Sequence, residues 1–194
     1  MGRRDVDDVV RTRAFWLAYK PGETSAPQFV AEPPVWWHVA LALGVALTVQ
    51  STLAPIVAFR GATPSFVLLV VAWYGVRTGT LRGLTFGLIA GACEDALSGT
   101  TGAAWTFATA LAGLLFGRLA RTWLADTQLV VVPGVALVTL VRYGAVALIL
   151  QLEGRPLAMA LEHLPAVLWQ ALLDALVAFA AVRFRPELLH AHRR

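Results

Sequence analysis

Arg142 falls near the middle of one long apolar run of this chain, and Asp174 near the middle of the next. An isolated ionised group at the centre of a membrane helix is expensive, so opposite charges at comparable depth invite a pair facing the interior of a bundle. A salt bridge between Arg142 and Asp174 is therefore expected. It is either a static brace between two helices or a charge relay or substrate counter-ion. Gln50, Ser51 and Thr52 follow one another late in the first apolar run, ahead of Pro55. They suit hydrogen bonds between helices, or the lining of a mid-depth cavity around Gln50. Glu94 and Asp95 close a third run, where water near the outer surface is expected to solvate both. Adjacent helical residues point about 100° apart, which disfavours a catalytic carboxylate pair. Asp95 is the stronger candidate of the two because it continues a glycine seam, and it is placed to accept hydrogen bonds from the turn at Ser98 to Gly102.

Catalytic signatures are missing from the sequence. It contains no G-x-S-x-G, no HExxH and no Walker lysine loop, and the stretch Gly99 to Gly102 lacks the lysine that phosphate binding of that kind requires. Four scattered histidines, with His190 and His192 in a basic tail, and the single cysteine Cys93 offer no metal framework and no internal disulfide. No enzyme, metal or cofactor is expected.

These groups must be positioned by helices. Gly79, Gly83, Gly87 and Gly91 recur at four-residue spacing through an apolar segment, and Asp95 follows at the same interval. In lipid, helices gain little from the hydrophobic effect on meeting, so small residues at every fourth position let backbones approach and dispersion act. Each step advances roughly 400°, so the stripe drifts by about 40° and favours a crossed neighbour. The ladder marks a helix-packing seam, or else a place where a ligand needs close backbone approach.

Composition supports a multi-pass, all-α membrane protein. Of 194 residues, 58% are hydrophobic and only 14% charged, with a mean hydropathy of +0.66. The net charge of +4 comes from basic residues clustered at segment ends, so topology explains it better than nucleic-acid binding does. Residues 1–35 mix acids, bases and prolines around one apolar patch, Ala14 to Tyr19, and read as a cytosolic tail with no cleavable signal. Apolar runs then recur at about 36–58, 63–77, 80–98, 103–123, 128–152 and 162–183, predicting a six-transmembrane-helix bundle over 36–184 and a basic cytosolic tail over 185–194. The second run, between Pro64 and Arg77, is short for a full span. Trp36, Trp37, Trp73, Tyr74, Trp105, Trp123 and Trp169 mostly fall near run ends, as interfacial anchors do. With the N-terminus inside, thirteen of the sixteen Lys and Arg residues fall on the cytosolic side, against Arg60 and Arg155 outside and Arg142 within the fifth helix. Both termini are then cytosolic; a five-helix arrangement would spoil that segregation.

The stretch Gln50 to Leu119 resembles the rod shape-determining protein MreD family. A Gln-containing first helix is followed by Thr63-Pro64-Ser65 opening a Val/Leu-rich helix, then by the glycine-laddered helix, with Gly83, Gly87, Gly91, Asp95, Gly102 and Gly113 falling where such proteins place glycines and an acid-ended helix. The long N-terminal tail departs from the family's compact start. The resemblance implies a non-enzymatic scaffold subunit of the bacterial elongation machinery in the inner membrane. It would bind the bitopic partner MreC, and through it the MreB filament and the cell-wall synthases RodA and penicillin-binding protein 2, supporting lateral peptidoglycan synthesis and rod shape. It also implies a fold similar to the substrate-binding subunits of energy-coupling factor vitamin transporters, with a cavity that is empty, filled by lipid or reused for a partner. The alternative is a substrate-binding membrane subunit of a small-molecule transporter, with Gln50, Arg142 or Asp174 on the ligand and the Ala42, Ala46 pattern docking a coupling subunit.

Overall fold

The computed structural model describes residues 34–52, 56, 58–99, 102–122 and 131–184; the expected tails lie outside these except for residues 34 and 35. Among the described residues there are six helices: α1 Trp36–Thr52, α2 Phe66–Thr78, α3 Thr80–Ser98, α4 Ala104–Thr122, α5 Val131–Leu152 and α6 Leu157–Phe184. They follow the six apolar runs. Two of them, α5 with 22 residues and the 27 residues of α6 from Ala158, are long and apolar enough to cross a membrane. Large apolar side chains stand exposed on five helices, among them Leu41, Ile89, Phe107, Leu137 and Leu164. Water would not tolerate so broad an apolar surface on a monomer. By contrast α2 exposes none and is the central helix.

The 13 residues of α2 rise only about 20 Å. Its short length has a local cause. Phe59 and Ala62 exchange both backbone hydrogen bonds at 2.9 Å around Arg60 (φ 52°) and Gly61 (φ 81°), a tight turn that needs left-handed backbone. Pro64 then holds Thr63 away from helical geometry, and Ser65 serves as the N-cap, its hydroxyl 3.4 Å from the Leu68 N–H. The helix therefore begins inside the bundle, at a residue only 3% exposed.

The glycine ladder lies between α3 and α4, the most intimately packed pair. A Cβ on Gly83 would strike the Gly113 carbonyl oxygen, and one on Gly87 would strike that of Thr109. On Gly91 it would lie 2.5 Å from the Trp105 carbonyl oxygen. Gly113 meets Gly83 reciprocally, and Gly75 of α2 approaches Gly113, so three backbones converge there. These glycines are thus occupied by packing within the chain. Gly79 departs from the ladder expected of it: with φ 88° it links α2 to α3, facing Gly117 of α4. The two larger of the apolar clusters among the described residues flank the seam. One joins α2, α4, α5 and α6 around Leu68, Phe116, Val135 and Val138; the other joins α1, α2 and α3 around Leu43, Val67, Val71 and Phe86.

Candidate functional site

Arg142 sits halfway along α5 with 3% of its surface exposed. Little of its guanidinium reaches water there, so its protein contacts must offset most of the desolvation. Nη2 forms an ion pair with Glu94 of α3, Nε donates to Thr109 Oγ1 of α4 at 3.0 Å, and Nη1 donates to Ser65 Oγ at 3.0 Å. The guanidinium carbon lies 4.6 Å from the ring centroid of Trp105, a cation–π arrangement strengthened by burial. Glu94 is held in turn by α1 and α4: Gln50 Nε2 donates to its Oε1 at 3.1 Å, and the Thr109 hydroxyl donates to its Oε2 at 2.9 Å. Gln50 completes the frame by accepting the Val67 N–H through Oε1 at 3.1 Å. One charge pair therefore fastens α1, α2, α3, α4 and α5 together.

The expected Arg142–Asp174 salt bridge is replaced by this Arg142–Glu94 pair. Asp174, fully buried at 0% exposure, has a different task. Its Oδ1 accepts the Ser65 N–H at 2.7 Å and its Oδ2 lies 3.0 Å from the Thr139 hydroxyl. The reason is the buried start of α2, whose first N–H groups have no intrahelical acceptors and carry the positive end of the helix dipole. A carboxylate on α6 and the Gln50 amide on α1 supply what water would supply at an exposed end. Ser65 is the joint between the two acids, since its hydroxyl meets Arg142 and its N–H meets Asp174.

Glu94 was expected in water and is 7% exposed. It stands seven residues after Gly87 and so lies on the seam face, almost two full turns on. Asp95, expected to order the link to the next helix, does so from beyond the turn. Its side chain reaches past the turn to the start of α4, where Oδ1 accepts the Trp105 N–H at 3.1 Å and Oδ2 accepts the Thr106 N–H at 2.7 Å and the Thr106 hydroxyl at 2.6 Å. It works as a cap for α4 borrowed from α3. The turn it spans is shaped by Gly99 (φ 65°) and Gly102 (φ 60°), both left-handed. Sequence reasoning did not single out Ser65, Thr109, Thr139 or the site role of Trp105. Thr63-Pro64-Ser65 offered a signal as a helix start, and the spacing Gly87, Gly91, Glu94 offered another.

Above the cluster, where α1 and α3 end and α4 begins, a cavity of about 370 Å³ opens. Gln50, Ser51, Thr63, Ser65, Glu94, Ser98, Trp105, Arg142 and Gln170 line it with Leu47, Pro64 and Leu97. A second cavity, of about 580 Å³, lies between α1, α2, α5 and α6 and is almost wholly apolar, with Ala42, Ala46, Ala178 and Ala181 on its walls. Trp73, which lines it, carries a buried Nε1 with no hydrogen-bond partner. Among the described residues no group of three His, Cys, Asp or Glu gathers to hold a metal ion. The polar cluster holds one cation, two carboxylates and three hydroxyls, all engaged with one another, which is the composition of a frame.

A family model for the rod shape-determining protein MreD matches residues 34–185, a span that includes every residue of the cluster and of both cavities. No curated protein and no solved structure matches the chain. The match covers most of the sequence, and the chain belongs to the rod shape-determining protein MreD family.

Proposed function

We propose that the chain is a non-enzymatic, multi-pass scaffold of the bacterial elongation complex, with six helices in the inner membrane and both termini in the cytosol. It binds MreC, and through MreC it connects the MreB filament with RodA and penicillin-binding protein 2, supporting lateral peptidoglycan synthesis and rod shape. The observation that carries this proposal is the family match over residues 34–185. The basic residues at the segment ends support the orientation. The mechanism is assembly: the buried frame fixes helix positions so that exterior faces are presented rigidly. With the seam glycines enclosed between α3 and α4, a partner meets other surfaces. The alanine-walled groove of about 580 Å³ is one that a partner's membrane helix can approach closely.

The cavity above Arg142 favours a second reading, a substrate-binding subunit of a transporter with a fold like the energy-coupling factor subunits. Affinity capture of the tagged chain from native membranes in mild detergent, with mass spectrometry of what accompanies it, separates the two. Recovery of MreC with the wall synthases supports the scaffold. Recovery of ATPase and coupling subunits in their place overturns it.

A further inference from the structure

The cavity above the polar cluster holds more hydrogen-bonding capacity than the protein uses. Gln170 of α6 lines it, and among the described residues neither its amide nitrogen nor its amide oxygen has a partner; the same is true of the Thr63 hydroxyl. Arg142 carries more N–H groups than the three its protein acceptors take up, and it too faces the cavity. The site is therefore richest in donors and suited to a ligand bearing many oxygen acceptors. Charge narrows the class further. The formal charges among the described lining residues, Arg142 and Glu94, already neutralise each other. An anionic ligand would face Glu94 and a cationic one Arg142, each without a spare counter-charge. Trp105 contributes an apolar flank of the kind that packs against the C–H faces of a ring. A volume of about 370 Å³ lies within the usual range for small-ligand pockets, about 300–1,000 Å³.

The geometry points to this cavity as a binding site for a neutral saccharide, entered from the end of the bundle where α1 and α3 finish, the outer face in the orientation proposed above. The sugar's hydroxyls accept from Arg142 and exchange hydrogen bonds with Gln170 and Thr63, while Gln50 and Glu94 form the floor. The saccharide is either free or the headgroup of a lipid-linked glycan. Affinity for partner proteins is a separate property of the chain, so partner capture is measured alongside as a control.

The test uses the full chain in nanodiscs with two probes, methyl N-acetyl-β-glucosaminide in solution and the same sugar carried on a dodecyl chain within the bilayer. Binding is read by isothermal titration and by Trp fluorescence in wild type, Gln170→Leu and Thr63→Val. Neither side chain bonds to another described residue, so both variants should keep the wild-type melting temperature and partner capture. Each lost neutral hydrogen bond should weaken binding about 2–13-fold. Saturable binding of the soluble probe that weakens in both variants supports a free sugar as ligand. Binding of the dodecyl probe alone, weakened in the same way, supports a lipid-linked one. Absence of saturable binding for both probes overturns the proposal, as does binding that Gln170→Leu and Thr63→Val leave unchanged.

Discussion

Replacing Glu94 with Ala removes the counter-charge of a guanidinium that is 3% exposed. It also removes the acceptor of Gln50 Nε2 and of the Thr109 hydroxyl. Breaking a buried pair from one side typically costs about 3–5 kcal/mol, because the remaining charge stays buried and uncompensated. For a chain of this size about 2–4 °C in melting temperature accompanies each kcal/mol, so the expected loss is roughly 6–20 °C. Removing both charges behaves differently. A Glu94→Leu, Arg142→Leu double variant leaves no orphan ion, and such replacements are often neutral or stabilising; most of the loss should return. The assay is size-exclusion chromatography of the detergent-solubilised chain after heating, run as a double-mutant cycle on the two positions. Asp174→Asn is the control, since Asn keeps an oxygen for the Ser65 N–H and Arg142 keeps its partner. A melting temperature for Glu94→Ala within 2 °C of wild type (an allowance of roughly 1 kcal/mol) would refute the frame, and so would strictly additive effects in the cycle.

Further expectations concern the seam, the caps and the topology. Gly87→Leu should destabilise by at least about 1–3 kcal/mol, because a Cβ there already meets the Thr109 carbonyl and lies 2.9 Å from the Ala110 Cα. Gly144→Ala, with nothing within 4 Å of the added carbon, should be neutral or slightly stabilising in the same thermal assay. Asp95→Ala should cost about 0.5–2 kcal/mol and speed hydrogen exchange at the Trp105 and Thr106 amides, with Asp95→Asn giving an intermediate result. An alkaline phosphatase fused after Arg194 should be inactive in intact cells; activity there would place the C-terminus outside and favour five spans.

The helices were legible where the sequence marks both of their ends. The limits of the apolar run 80–98 match those of α3, and the structure gives the reason: Gly79 and Gly99 bracket it, and both adopt the positive φ that a side chain disfavours. The short α2 was legible from Pro64 and Arg77, but why it begins inside the bundle was not, since its N-terminal acceptors come from Gln50 and Asp174 on distant helices. That also explains the misassigned ion pair. Depth along the chain made Asp174 the natural partner of Arg142, and nothing local revealed that a buried helix start would claim it. Glu94 looked solvated because it is four residues from the end of α3, yet Gln50 and α4 cover that end. Hydroxyls are hardest to read. Thr48, Thr52 and Thr78 bond to carbonyls four residues back in their own helices, so a threonine in an apolar run does not announce that, like Thr109, it bridges an ion pair.

The most direct measurement of the central claim, that buried charges frame a scaffold whose partners meet its exterior, is quantitative mass spectrometry of proteins captured with wild type and with the Glu94→Leu, Arg142→Leu variant from native membranes. If the charges serve only as a frame, the folded double variant retains MreC at the wild-type ratio. A double variant that elutes as a folded monodisperse chain but has lost MreC would contradict the claim, as would a wild-type chain that brings down ATPase and coupling subunits instead.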